Sequence, residues 1–280
     1  MSAARARSAP AAADGVRRVR LVRTMGTVIS LDVRGGAPGE DVEVAQDAAE
    51  AVLQDADATF STFRPDSWIS RLARREVRPA DLPPDVTEVL GLCAEVEQLA
   101  DGWFTARWRG NGFLDPTGLV KGWAAQRASR LLSARGLVDH CVNAAGDVAL
   151  GGHPEGKRVW RVGIADPRRP QAHLGIVAAG GSTGISAVAT SGTGERGAHI
   201  VDPRTAGPVT SVLSASVVGP DAGLADGLAT ALVAAGTAAP SLLASLRPHG
   251  WRGCLLLPDG TVVDPDRLLD SAVPTAAPQP

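Results

Sequence analysis

Residues 211–257 read SVLSASVVGPDAGLADGLATALVAAGTAAPSLLASLRPHGWRGCLLL. The run Ser211–Val218 is short and rich in Val, and predicts a strand. Asp221 is placed to cap a helix over Ala222–Ala235, and Gly236 to end it. A shorter helix over Ser241–Arg247 and a strand over Arg252–Leu257 follow. Strand, helix, helix, strand is not the βαβ alternation of a doubly wound sheet, so the fold class predicted is α+β.

Working back toward the N-terminus, further strands are predicted around Gly175–Ala178, Val159–Ile164, Ala149–Leu150 and Cys141–Val142. A helix is predicted from about Gly118 to Arg135, ended by Gly136. Val86, Val89, Leu90, Cys93, Val96 and Leu99 recur at helical spacing and predict a helix over Asp85–Ala100, with Asp85 as cap and Glu88 in the capping-box position. Val44–Phe60 predicts another helix. Val19–Val33 predicts two strands around a turn at Met25-Gly26. One domain over residues 16–270 is expected, with disordered tails at 1–15 and 271–280, where Ala, Pro and small residues dominate.

The chain has 280 residues, a formal net charge of -2, 44% hydrophobic and 21% charged residues. No global basic field favours nucleic acid. No run approaches the roughly 20 apolar residues of a membrane span, and no signal-peptide pattern is seen, so a cytoplasmic protein without membrane insertion is expected. Three well-separated cysteines, Cys93, Cys141 and Cys254, fit neither a disulfide framework nor a metal cluster. Lys occurs only at 121 and 157.

Five stretches could carry chemistry, and each has a plain structural reading beside the functional one. Asp115-Pro116-Thr117-Gly118 feeds a helix start, and Lys121 follows one turn in. That places free N–H groups, a positive dipole end and an ammonium where phosphate could sit, or else a capped helix with a surface Lys. Ala189-Thr190-Ser191-Gly192-Thr193-Gly194 predicts a glycine- and hydroxyl-rich flexible loop that either cradles an anion or only connects. It leads to His199, a candidate general base or a satisfied histidine. Asp226 and Thr230, four apart, share one face of a helix otherwise apolar or small. They can hold a hard cation, or Asp226 is a solvated residue of the first turns. Asn143-Ala144-Ala145-Gly146-Asp147-Val148 is a tight turn that lets a ligand approach the backbone, or a structural Asx turn. Phe63-Arg64 and Gly102-Trp103-Phe104 can wall a planar ring, or serve the core.

Taken in order, FSTFRPDS, DPTGLVKGWA, NAAGDV, ATSGT, ERGAHIVDPRTAG and LADGLATAL resemble the ApbE-type FAD:protein FMN transferases. The resemblance covers most of the globular chain, from Met25 to the helix of Asp226 and Thr230. It implies an ApbE-like, T-fold-related arrangement of mixed sheets and packed helices, with a nucleotide cleft between two lobes. It implies Mg²⁺ as cofactor and FAD as substrate, with the FMN half moved onto a Ser or Thr of an acceptor flavoprotein and AMP released. By position, Asp226 and Thr230 match the magnesium side chains, and Gly118 a ligand through its carbonyl. Asp115, Lys121 and Ile200 match FAD contacts, Met25, Phe63 and Gly102–Phe104 the pocket lining, and His199 the base. Four positions depart from the family pattern: Trp68 for an acid, Gly194 for an aromatic, Phe63 for Tyr and Ala229 for a further acid. The same site could instead hydrolyse FAD to FMN and AMP, or bind FAD without turnover.

Overall fold

The computed structural model describes residues 17–35, 40–110, 112–154, 159–169, 171–194, 197 and 199–270. The expected tails, 1–15 and 271–280, lie outside the described residues. The strands are β1 (Arg17–Thr24), β2 (Thr27–Arg34), β3 (Asp139–Ala144), β4 (Asp147–Gly151), β5 (Trp160–Ala165), β6 (His173–Ala179), β7 (Ala187–Gly192), β8 (Ser214–Gly219), β9 (Arg252–Leu256) and β10 (Val262–Val263). The α-helices are α1 (Glu40–Phe60), α2 (Trp68–Ala73), α3 (Pro84–Leu99), α4 (Thr117–Ala134), α5 (Ala222–Ala234) and α6 (Ala239–Leu246).

One open sheet runs in the order β1-β2-β3-β4-β7-β8-β9-β10, and β5 and β6 form a second, two-stranded sheet. All the pairings are antiparallel. This is the α+β class read from the chain. Two hairpin turns need left-handed backbone: Met25 and Gly26 between β1 and β2, and Ala145 and Gly146 between β3 and β4. Such turns match the twist of the flanking strands. The second is stapled by the Asn143 side chain, which accepts from the Gly146 N–H at 2.8 Å.

Helices α1, α4 and α5 cover one face of the large sheet. They bury Leu53 and Phe60 from α1, Leu119 and Leu132 from α4, and Leu228 and Leu232 from α5. Each such side chain contributes about 1.5–3 kcal/mol of burial. On the other face, Val148, Leu150, Val188 and Val218 pack with Trp160, Ile164 and Val177 of the small sheet in a separate apolar cluster. The small sheet thus forms a second lobe over β4, β7 and β8. On the β1–β2 part of that face Arg34 lies over the Trp160 ring, 5.2 Å from its centroid, and among the described residues Leu21 is 67% exposed. No single helix among the described residues is long and apolar enough to cross a membrane.

Helices α4 and α5 touch backbone to backbone. A Cβ on Gly122 would sit 2.1 Å from the Ala222 carbonyl oxygen and 2.8 Å from the Asp226 Cβ. Gly122→Ala must therefore push the helices apart, and we expect it to cost at least about 2 kcal/mol, as overpacking of a tight core does. A calorimetric melt identical to wild type would contradict this contact.

Two sequence expectations are corrected. Of the loop expected over Ala189–Gly194, Ala189–Gly192 belongs to strand β7, which pairs with β4 and β8. The capping box at Asp85 and Glu88 does not form. Pro83 and Pro84 start α3, and no side chain caps it. Asp85 instead accepts from Arg127 at 2.7 Å, and Glu88 from the Trp123 indole at 3.0 Å. In α5 the expected cap is present, Asp221 accepting from the Gly223 and Leu224 N–H groups.

His140 on β3 is fully buried. Its Nδ1–H donates to the Leu137 carbonyl at 2.7 Å, and its Nε2 accepts from the Ser129 hydroxyl at 2.7 Å. Burial, the largest influence, holds its pKa below the ordinary imidazole value. The unfolded chain therefore takes up this proton at a higher pH than the folded one. The stability due to neutral His140 is complete above about pH 6.5 and declines as pH falls below it, by up to about 1.4 kcal/mol per pH unit. The melting temperatures of wild type and His140→Asn should converge between pH 7.5 and 5; a constant gap would refute the assignment.

Candidate functional site

A cleft of about 860 Å³ lies between the two lobes. Its walls include Gly26 and Thr27 of the first hairpin turn, Trp103 and Phe104, the start of α4, β7, the segment His199–Val201, and Asp226 and Thr230 of α5. Val162–Pro167, Arg169 and Gln171–His173, from the small sheet and the loop joining its strands, close the opposite side.

Asp115 sets the start of α4. It is buried, and its carboxylate accepts from the Thr117 N–H at 3.1 Å, the Thr117 hydroxyl at 2.6 Å and the Arg109 Nε at 2.8 Å. The Arg109 guanidinium also lies over the rings of Trp108 and Phe113, 4.8 and 5.2 Å from their centroids. One turn on, the Lys121 ammonium pairs with the fully buried Asp147 at the start of β4. Asp147 Oδ1 also accepts from the Thr190 N–H of β7 at 3.4 Å.

Asp226 and Thr230 both face the cleft from α5, as their spacing of four requires. The Asp226 carboxylate accepts from the Gly122 N–H at 3.0 Å. The Thr230 hydroxyl donates to the Gly118 carbonyl at 3.2 Å and lies 3.0 Å from the Ser191 hydroxyl. Burial first, and the Asp147 charge second, raise the Asp226 carboxyl to about 8, against the opposing influences of Lys121 and the Gly122 N–H. An all-oxygen group of one carboxylate, one hydroxyl and one carbonyl suits a hard cation. Lys121 offsets the burial of this carboxylate only in part, and a divalent cation would supply the remaining positive charge. These residues therefore fit magnesium. Among the described residues no group of three or more His, Cys, Asp or Glu is placed to hold a metal ion, so the candidate set rests on one carboxylate with hydroxyl and carbonyl oxygens.

His199 is exposed on the cleft wall. Its Nδ1 lies 3.0 Å from the Gly197 carbonyl. A carbonyl only accepts, so Nδ1 carries the proton and Nε2 presents a lone pair. Ile200 beside it is held by its carbonyl, which accepts from Val209 N–H at 3.0 Å, and by the bridge between Val201 and Pro208. Arg204 lies over the Trp103 ring, 3.7 Å from its centroid, and fixes that ring at the cleft.

Of the residues singled out from the sequence, Trp103, Phe104, Asp115, Gly118, Lys121, His199, Ile200, Asp226 and Thr230 line this one cleft. Met25 and Gly102 stand beside it, next to Gly26 and Trp103. Phe63 does not reach it. The exit from α1 buries Phe60 instead, edge-on to Trp123 at 5.3 Å, and leaves Phe63 92% exposed. Asp147 and Ser191 fell within stretches singled out from the sequence, which gave neither side chain a role of its own. A lone acid opening the apolar strand DVALG was the available signal for Asp147. Glu195, Arg196 and Ala198 of the motif before His199 lie outside the described residues.

The model of the ApbE family matches residues 25–109 and 108–250. The FAD:protein FMN transferase of Rhodobacter capsulatus is 41% identical over 132 residues, 44% of this chain and 24% of that protein. That of Vibrio cholerae is 30% identical over 133 residues, 44% of this chain and 39% of that protein. The chain thus matches roughly a quarter to two fifths of the length of these curated relatives. Among solved structures, the ApbE protein of Thermotoga maritima superposes with a TM-score of 0.78 at 20% identity, over 89% of this chain and 97% of that one. That likeness shows the shared fold.

Proposed function

The chain belongs to the ApbE family, and on that premise we propose that it moves FMN from FAD onto a Ser or Thr hydroxyl of an acceptor flavoprotein, with magnesium, releasing AMP. The observation that carries this reading is the convergence on one cleft of an oxygen cation site and an imidazole whose Nε2 is free to accept a proton. The named activity of the Rhodobacter and Vibrio relatives supports it.

Asp226, Thr230 and the Gly118 carbonyl hold the cation, which when bound withdraws charge from the diphosphate oxygens. Lys121 and the N-terminal end of α4 add fixed positive potential for the same group. Asp115 anchors that helix end through Thr117. Trp103, Phe104 and Ile200 wall the nucleotide, while Met25 and Gly102 hold the backbone next to the lining. Phe63 takes no part in this arrangement.

The acceptor hydroxyl oxygen attacks the FMN-side phosphorus, and its proton passes to His199 Nε2. The bond from that phosphorus to the bridging oxygen breaks, and AMP departs with the electron pair. Such transfers depend on positioning and charge neutralisation more than on covalent help from the protein. The Gly197 carbonyl keeps His199 in the tautomer this step needs.

Mass spectrometry of a Thr-containing acceptor flavoprotein after incubation with FAD and Mg²⁺ tests the proposal. One added FMN with equimolar AMP is expected. Free FMN and AMP with an unmodified acceptor would make the protein a pyrophosphatase. Intact bound FAD would make it a carrier.

A further inference from the structure

We propose that Asp147 is a positioning residue, which holds the Lys121 ammonium against the cleft floor so that it meets the diphosphate of FAD as a fixed charge. This rests on the reading of the cleft as an FAD site. Three charged side chains from three elements converge there: Lys121 from α4, Asp147 from β4 and Asp226 from α5. The Lys121 ammonium reaches Asp147, whose side chain is fully buried, while a quarter of the Lys121 side chain remains exposed. Lys121 lines the cleft, and Asp147 does not. Asp147 therefore touches the lysine and, through Oδ1, the backbone of β7; its charge also bears on Asp226, and it reaches the diphosphate of FAD through Lys121.

The geometry matters because a lysine has a long flexible stem and a compact charge. An ammonium left to swing would have to reorganise at each turnover. One already tethered to a buried carboxylate on a rigid strand is preorganised. The hairpin turn at Ala145-Gly146 fixes Asp147, since Ala144 and Asp147 are paired across it. The β7 contact ties the same carboxylate to the strand that carries Ser191, next to Thr230. Anion placement and cation placement are thus joined through one strand.

A double-mutant cycle of Asp147→Asn, Lys121→Met and the pair tests this, in the presence of saturating Mg²⁺. Asp147→Asn should lower kcat for FMN transfer by about 10- to 100-fold, with KM for FAD changed by less than about threefold. The double variant should be no slower than Lys121→Met alone. A residue that merely supported the fold would slow the Lys121→Met background by the same factor as wild type, and multiplying losses would overturn the proposal. Lys121→Met leaves Asp147 buried without its ion-pair partner; should it fail to melt cooperatively, Lys121→Gln, which can still donate to the carboxylate, takes its place. If the wild type transfers no FMN, the functional reading fails by itself. The cycle is then read in FAD affinity, measured by flavin fluorescence, where losses that do not multiply uphold the tether and multiplying losses overturn it.

Discussion

Asp226→Asn should lower FMN transfer by about a thousandfold or more and remove the response to magnesium. The change is chosen to take away charge and little else. The amide oxygen can still accept from the Gly122 N–H that now reaches the carboxylate at 3.0 Å, so the α4–α5 contact survives. What is lost is the only carboxylate in the proposed cation set. Lewis-acid neutralisation of a transferring phosphoryl group contributes several kcal/mol, and about 4 kcal/mol corresponds to a thousandfold in rate. Two readouts separate this from general damage. In wild type, added Mg²⁺ should raise the melting temperature, because a ligand that binds only the folded state stabilises it; in Asp226→Asn that shift should vanish. A variant that still titrates normally with Mg²⁺ would remove Asp226 from the site.

His199→Ala should slow transfer by about 10²- to 10⁴-fold, the range that a positioned general base supplies, and leave FAD affinity close to wild type. His199 is exposed, and among the described residues its ring and its backbone N–H bond to the carbonyl of Gly197. Its removal leaves no buried polar group stranded and should not move the melting temperature. The contrast with Asp226→Asn is the informative part: magnesium should still shift the melt of His199→Ala. A variant that transfers at the wild-type rate would discard the assignment.

Much of this architecture was legible before any coordinates, for reasons specific to particular residues. Asp221 and Gly236 bracket α5, and Gly136 ends α4, because caps and left-handed glycines act locally. Asp226 and Thr230 share a face because a helix repeats near four. What escaped the sequence depends on partners far along the chain. Strand β7 carries Thr190, Ser191 and Gly192, which favour loops by themselves. It becomes a strand because β8 pairs along its whole length, β4 pairs with Ala187 and Val188, Asp147 accepts from the Thr190 N–H, and its small residues let α5 approach. Glu88 matches a capping box by spacing, but Trp123, 35 residues away, claims its carboxylate. Lys121 could be read as a phosphate ligand, whereas its tether Asp147, 26 residues on, could not. Phe63 was read as a ring wall from its place beside Arg64 and from the resemblance, but the exit from α1 buries Phe60 and leaves Phe63 92% exposed.

The meeting of Gly122 with the Ala222 carbonyl also decides how the site can vary. The gap between the helix bearing Gly118 and the helix bearing Asp226 and Thr230 is set by main chain against main chain, like a calliper with no adjusting screw. Methyl groups gained or lost elsewhere in the interior can make the protein sturdier or frailer, but they leave the spacing of the proposed cation ligands as it is. Natural drift in the surrounding hydrophobic residues is therefore expected to leave the choice of metal untouched, while the flavin and acceptor walls, built from side chains and turns, remain open to change.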